Sequence, residues 1–213
     1  MIIDDRNKIV FQHLPKCGGT YVRVVFHKFV PTSHKLTRYG LKWYIDESEM
    51  DFCLDHKNFY ANLSHMEFRR LSPRIRKEYL LLIAVREPVS LWVSHYLAHK
   101  RNIDFKTHIE NHTAEFDVRH SYSRKIENAI LNAKRGHYIL RQENLPANLL
   151  AFMDEHVATF KRTPFAVNFV KTATRNIGDS NLTDKVMKEV LEDRPLCEKI
   201  REYEAYLTRE FYS

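Results

Sequence analysis

Glycine is scarce in this chain, with 5 in 213 residues. That excludes collagen-like and glycine-rich low-complexity architectures, and it gives each retained glycine positional meaning. Cysteine is scarcer still. Cys17, Cys53 and Cys197 lie far apart and form no CxxC pair. An odd, sparse set excludes a disulfide framework and points to a reducing compartment. Long apolar runs are missing too: the longest, Tyr79–Val85 (YLLLIAV), falls far short of the ~20 residues that span a bilayer. No membrane span is therefore expected. The opening residues Met1-Ile2-Ile3-Asp4-Asp5-Arg6 show neither the basic nor the apolar region of a secretory leader. Together with the cysteine usage, this makes a cytoplasmic location the expectation. No repeat, low-complexity tract or Gly/Ser/Pro linker interrupts the chain, so a single domain over residues 1–213 is expected.

What is present is globular: 44% apolar, 29% charged and 12% aromatic residues. Lys and Arg number 34 against 27 Asp and Glu, a formal net charge of +7. A basic balance of that size implies an anionic partner, such as a nucleotide, an acidic glycan or a nucleic acid, without selecting among them. The hydrophobic pattern gives a strand at Lys8–Leu14, a helix at Thr20–Val30 and a second strand at Phe59–Ser64. A helix at Leu71–Glu78 then precedes a strand at Tyr79–Val85, apolar enough to be buried on both faces. Pro88 opens a helix running to about His99, and Ile103–Asn132 reads as helical in pieces. Beyond lie a strand at Tyr138–Arg141, a helix at Leu145–His156, a last strand at Phe165–Val170 and a basic loop over Lys171–Ser180. A helix capped by Thr183 and a closing helix at Pro195–Phe211 complete the chain. Strands alternate with helices, which implies an α/β fold with a mainly parallel central sheet flanked by helices.

The first strand runs into His13-Leu14-Pro15-Lys16-Cys17-Gly18-Gly19-Thr20. A strand-to-helix turn with paired glycines lets backbone approach an anion, and the N–H groups of the helix start then point at it. Lys16 adds positive charge and Thr20 a hydroxyl. The segment is a P-loop-like strand–loop–helix but not a Walker A loop, because Lys16 precedes Gly18 and no GK[ST] occurs. The second motif is Arg86-Glu87-Pro88-Val89-Ser90-Leu91-Trp92-Val93-Ser94. Arg86 follows the most apolar strand, at the carboxyl edge where open α/β sheets bind ligands. Its planar fork suits a phosphate, and Ser90 and Ser94 lie one turn apart on the following helix.

The run HLPKCGGT resembles the 5′-phosphosulfate-binding loop of sulfotransferases, most closely the carbohydrate and heparan-type branch. Arg86 and Ser94, eight residues apart, are similar to that family's strand–Arg–Pro–Ser layout. The resemblance implies 3′-phosphoadenosine-5′-phosphosulfate (PAPS) as sulfuryl donor and PAP as product. Lys16, Cys17, Gly18, Gly19 and Thr20 would then hold the phosphosulfate, and Arg86 and Ser94 the 3′-phosphate. It also implies that a basic loop near the chain's end closes on the nucleotide, with Lys171 and Arg175 as candidates. The acceptor would be a hydroxyl, of a sugar or polysaccharide, and no nucleic-acid partner is expected.

Sulfuryl transfer is an in-line displacement governed by positioning and charge stabilisation. Lys16 suits the charge that develops on the leaving phosphate, and the acceptor proton calls for a His or carboxylate base. His65 is the first candidate: it follows the expected strand Phe59–Ser64, and its segment resembles a GH-containing catalytic segment, with Ser64 in place of the glycine. Glu67 is the substitute. His95/His99 and His108/His112 have i,i+4 spacing that could build half a zinc site, but without an HExxH or a cysteine partner they read as solvated or acceptor-facing, and no metal is expected. Two other readings stay open: a nucleotide-dependent kinase, opposed by the missing GK[ST], and a non-catalytic basic module binding glycan or nucleic acid, which leaves both motifs unused.

Overall fold

The computed structural model of the chain describes residues 1–31, 33–35, 44–45, 66–99, 103–114, 121–173 and 180–213. The expected strand Phe59–Ser64, together with His65 and Arg175, lies outside them. In chain order the elements begin with β1 (Ile2–Asp4), β2 (Ile9–Gln12), α1 (Gly19–Phe29), β3 (Ser33–Lys35), α2 (Pro73–Glu78), β4 (Leu80–Val85) and α3 (Pro88–His99). They continue with α4 (Phe105–Ala114), α5 (Tyr122–Asn132), β5 (His137–Arg141), α6 (Leu145–His156), α7 (Pro164–Thr172), α8 (Ser180–Glu192), α9 (Arg194–Tyr203) and α10 (Ala205–Phe211). The chain divides into two compact units, Met1–Val85 with Asn128–Arg175, and Arg86–Glu127 with Asn176–Ser213.

The first unit is built on a five-stranded sheet of order β3-β1-β2-β4-β5. Its centre is parallel, with β2 on β4 in register Ile9↔Leu80 and β4 on β5 in register Val85↔Arg141. The α/β class with a parallel core is therefore what the alternating pattern implied. β4 (LLLIAV) and β2 (IVFQ) are almost wholly buried, as continuous apolar strands require. Two short antiparallel strands, β1 and β3, extend the sheet on the β2 side. Phe11, Phe26 and Phe152 pack in sequence at centroid distances of 6.5 and 6.4 Å. Each such buried ring contributes roughly 2–3 kcal/mol.

The second unit is helical. Val89, Trp92, Val93, Phe105, Ile109, Val190, Leu196, Cys197 and Ile200 form its core. Trp92 Nε1 donates to Glu204 Oε1 at 3.2 Å, and that carboxylate also accepts from Tyr122 N at 3.2 Å, Ser123 N at 2.7 Å and Ser121 Oγ at 3.1 Å. Glu204 is fully buried, and burial raises its pKa against the opposing pull of the Ser123 and Tyr122 amides.

Four expectations are corrected. Phe165–Val170 belongs to helix α7, not to a strand. Thr163 accepts from Ala166 N at 3.1 Å and Pro164 opens the first turn, so cap chemistry overrides the aromatic and β-branched content. Lys171 accordingly sits in the last turn of α7 and not in a loop. Thr183 lies inside α8, which begins at Ser180, so it is not the cap. The closing helix is interrupted at Glu204, giving α9 and α10.

Candidate active site

The turn between β2 and α1 is shaped by backbone that few residues tolerate. Lys16 has φ 66° and Gly18 φ 82°. Left-handed residues on either side of Cys17 fold the loop tightly. Cys17 is 1% exposed, so its thiol packs inward, away from any solvent-borne ligand. Gly19 is dictated by packing: a Cβ there would lie 1.8 Å from His13 Cδ2. The His13 imidazole is held in that place by Phe11, with ring centroids 6.2 Å apart and planes 16° apart. Gly18 faces the segment after β5, where a Cβ would come within 2.7 Å of Leu145 Cδ2. Gly19 therefore stands where the His13 ring leaves no room for a Cβ, while at Gly18 the positive φ is what favours glycine.

The helix that follows is open at its start. No side chain caps α1, and its first turn carries no acidic residue. Ser72 caps α2, Thr163 caps α7 and Asp193 caps α9, whereas the cap residues of α6 and α10, like that of α1, accept no such bond. The positive end of the α1 dipole thus lies beside Lys16 and Thr20 in the sequence, with no acidic residue in its first turn.

Two contacts in the first unit tie further candidates to this turn, and neither is visible in the motif. Gln12, the last residue of β2, is fully buried and accepts from Phe68 N at 2.8 Å through Oε1. That bond fixes the stretch holding Glu67, which is partly buried and paired with Arg69. The signal in the sequence was a lone amide in an otherwise apolar strand. On the other side, the Tyr21 hydroxyl donates to the Val170 carbonyl oxygen. The end of α7, with exposed Lys171, is thereby held against the first turn of α1.

In the second unit Arg86 precedes α3. Its Nε donates to Ser90 Oγ at 2.8 Å, so the guanidinium is oriented by the helix it introduces. Glu87 caps that helix by accepting from Ser90 N at 2.7 Å. Arg201 NH2 lies 3.7 Å from Glu87 Oε1. Ser94, partly buried, stands one turn beyond Ser90.

Residues 1–172 match the model of a sulfotransferase family. The match covers well over half of the chain and includes β1 to β5, the Lys16–Thr20 turn, Glu67, Arg86, Ser94 and Lys171. The chain belongs to the sulfotransferase family and is a sulfuryl-transferring enzyme, of a family that generally draws on PAPS and releases PAP. No curated protein sequence and no solved structure matches it significantly. No helix among the described residues is long and apolar enough to cross a membrane.

Proposed function

We propose that this enzyme transfers the sulfuryl group of PAPS to a hydroxyl of a carbohydrate. One observation carries the reading: left-handed Lys16 and Gly18, followed by Gly19, form a tight turn from β2 into α1, whose first turn holds no acid. Such a turn suits a dianionic phosphosulfate, because the amides and the lysine supply fixed positive charge at no cost of reorganisation. The donor supplies an activated sulfuryl group and a phosphate leaving group. Lys16 neutralises charge that grows on the leaving phosphate, and the α1 amides orient it. Arg86 and Ser94 take the 3′-phosphate, and Lys171 and Arg175 add basic contacts to the nucleotide. His65 removes the acceptor proton, with Glu67 as the alternative base. The net charge of +7 favours encounter with an anionic donor and an acidic acceptor.

The test is transfer of radiolabelled sulfate from PAPS to a panel of sugars and polysaccharides. Lys16→Ala lowers the rate by about 10³-fold or more while leaving the circular dichroism spectrum unchanged. PAP raises the melting temperature of the wild type. A melting temperature indifferent to saturating PAP defeats the reading.

A further inference from the structure

We propose that His95, His108 and His112 form a binding site for one zinc ion between α3 and α4. Each helix carries an i,i+4 histidine pair, and neither pair alone is a site. Packing of the two helices brings them face to face. His95 Nδ1 lies 3.1 Å from His108 Nε2, and His95, His108 and His112 each offer a ring nitrogen within 4.8 Å of the other two. Tetrahedral zinc bound at about 2.0 Å spaces its nitrogen ligands about 3.3 Å apart. One pair already has that spacing, and the third nitrogen needs a shift of no more than about 1.5 Å. Rotation of a partly buried imidazole supplies such a shift.

The surroundings favour an ion. His112 Nδ1 lies 2.8 Å from the His108 carbonyl oxygen, so that nitrogen carries the proton and Nε2 the lone pair. A ring nitrogen anchored on a backbone carbonyl is how metal-bound histidines are commonly oriented. Trp92 packs edge-on against all three rings, at centroid distances of 5.3, 6.3 and 5.5 Å, and gives the cluster an apolar floor. His108 is 1% exposed, while His95 and His112 keep partial access to solvent, so an ion has a route in. On binding, the proton shared by His95 Nδ1 and His108 Nε2 moves to the other nitrogen of its ring. Three imidazole donors with an open fourth position suit zinc. The ion clips α3, the helix that begins beside Arg86, to α4.

The test uses the full chain stripped by a chelator and titrated with zinc chloride in a calorimeter. The expected result is one saturable equivalent and a raised melting temperature. Cobalt(II) in place of zinc gives the intense visible bands of a tetrahedral ion. His112→Ala and, as an independent ligand variant, His95→Gln weaken zinc binding by roughly 100-fold, while His156→Gln in the other unit leaves it unchanged. Near-ultraviolet circular dichroism verifies that each variant is folded. Absence of a saturable equivalent in the wild type, or equal zinc affinity in the wild type and both folded ligand variants, overturns the proposal.

Discussion

The starts of α1 and α5 are two helix N-termini treated in opposite ways. At α1 the cap position is Gly18, which has no side chain to accept from the first amides, and no acid stands in the first turn. At α5 the Tyr122 and Ser123 amides are closed by the Glu204 carboxylate, which arrives from the break between α9 and α10, and Ser121 Oγ accepts from Arg124 N at 3.4 Å. The same orphan amides and the same dipole are present at both. At α5 a buried carboxylate uses them to join distant segments of the second unit. At α1 the proposed function assigns them to the donor. An anion site of this kind is made as much by what is withheld, a cap and an acid, as by the lysine and glycines that are supplied.

The largest effect is expected from removing the seal. Glu204→Ala leaves the Trp92 indole and the Ser123 amide buried without an acceptor, and it lowers stability by about 3 kcal/mol or more in chemical denaturation. Retention of near-wild-type stability would show that α5 does not depend on its seal. The same carboxyl gives a pH signature. Its pKa is raised in the folded state by burial, so its stabilising contribution is complete below the ordinary carboxylate value and declines as pH rises through the folded one. The stability of the wild type minus that of Glu204→Gln should therefore fall as pH increases over that window, and a flat difference argues that burial does not govern the group.

Sealing the open helix is the converse experiment. Thr20→Glu places a carboxylate in the first turn of α1, where it interacts favourably with the dipole by about 0.3–1 kcal/mol. Thermal stability should hold or rise slightly, while affinity for PAP, read by calorimetry, falls by at least ~30-fold through like-charge repulsion and competition for the amides. Unchanged PAP affinity would mean that α1 is not the anion site. Gly19→Ala drives a methyl into His13 and should cost about 1–3 kcal/mol. Adding His13→Ala should recover much of that loss, and failure of this rescue would locate the strain elsewhere. The smallest effect is Thr163→Ala, about 1 kcal/mol, from loss of an ordinary cap on α7.

Local chemistry was the part that could be read along the chain. The apolar run of β4, the helix Leu145–His156 and the proline start of α3 all lie where pattern placed them. The turn Lys16–Thr20 was legible because it is contiguous and uses two of only 5 glycines. Phe165–Val170 was misread because its residue types suit a strand, whereas Thr163 and Pro164 had already opened a helix. β1 and β3 are too short to carry a period and exist through their pairing with each other and β2. Glu204 reads as one more polar residue on an amphipathic helix. Nothing within its own helical turn announces that it is fully buried beneath Ser121, Tyr122 and Ser123.

By itself, then, the sequence determined the α/β class, the Lys16–Thr20 turn and the Arg86–Ser94 spacing, because each depends on neighbours within a few residues. Tertiary structure alone decided why a Cβ at Gly19 would meet His13, which amides are sealed, and that two histidine pairs face one another across α3 and α4. Those outcomes depend on which side chains meet after distant segments pack, and local periodicity carries no record of the partner.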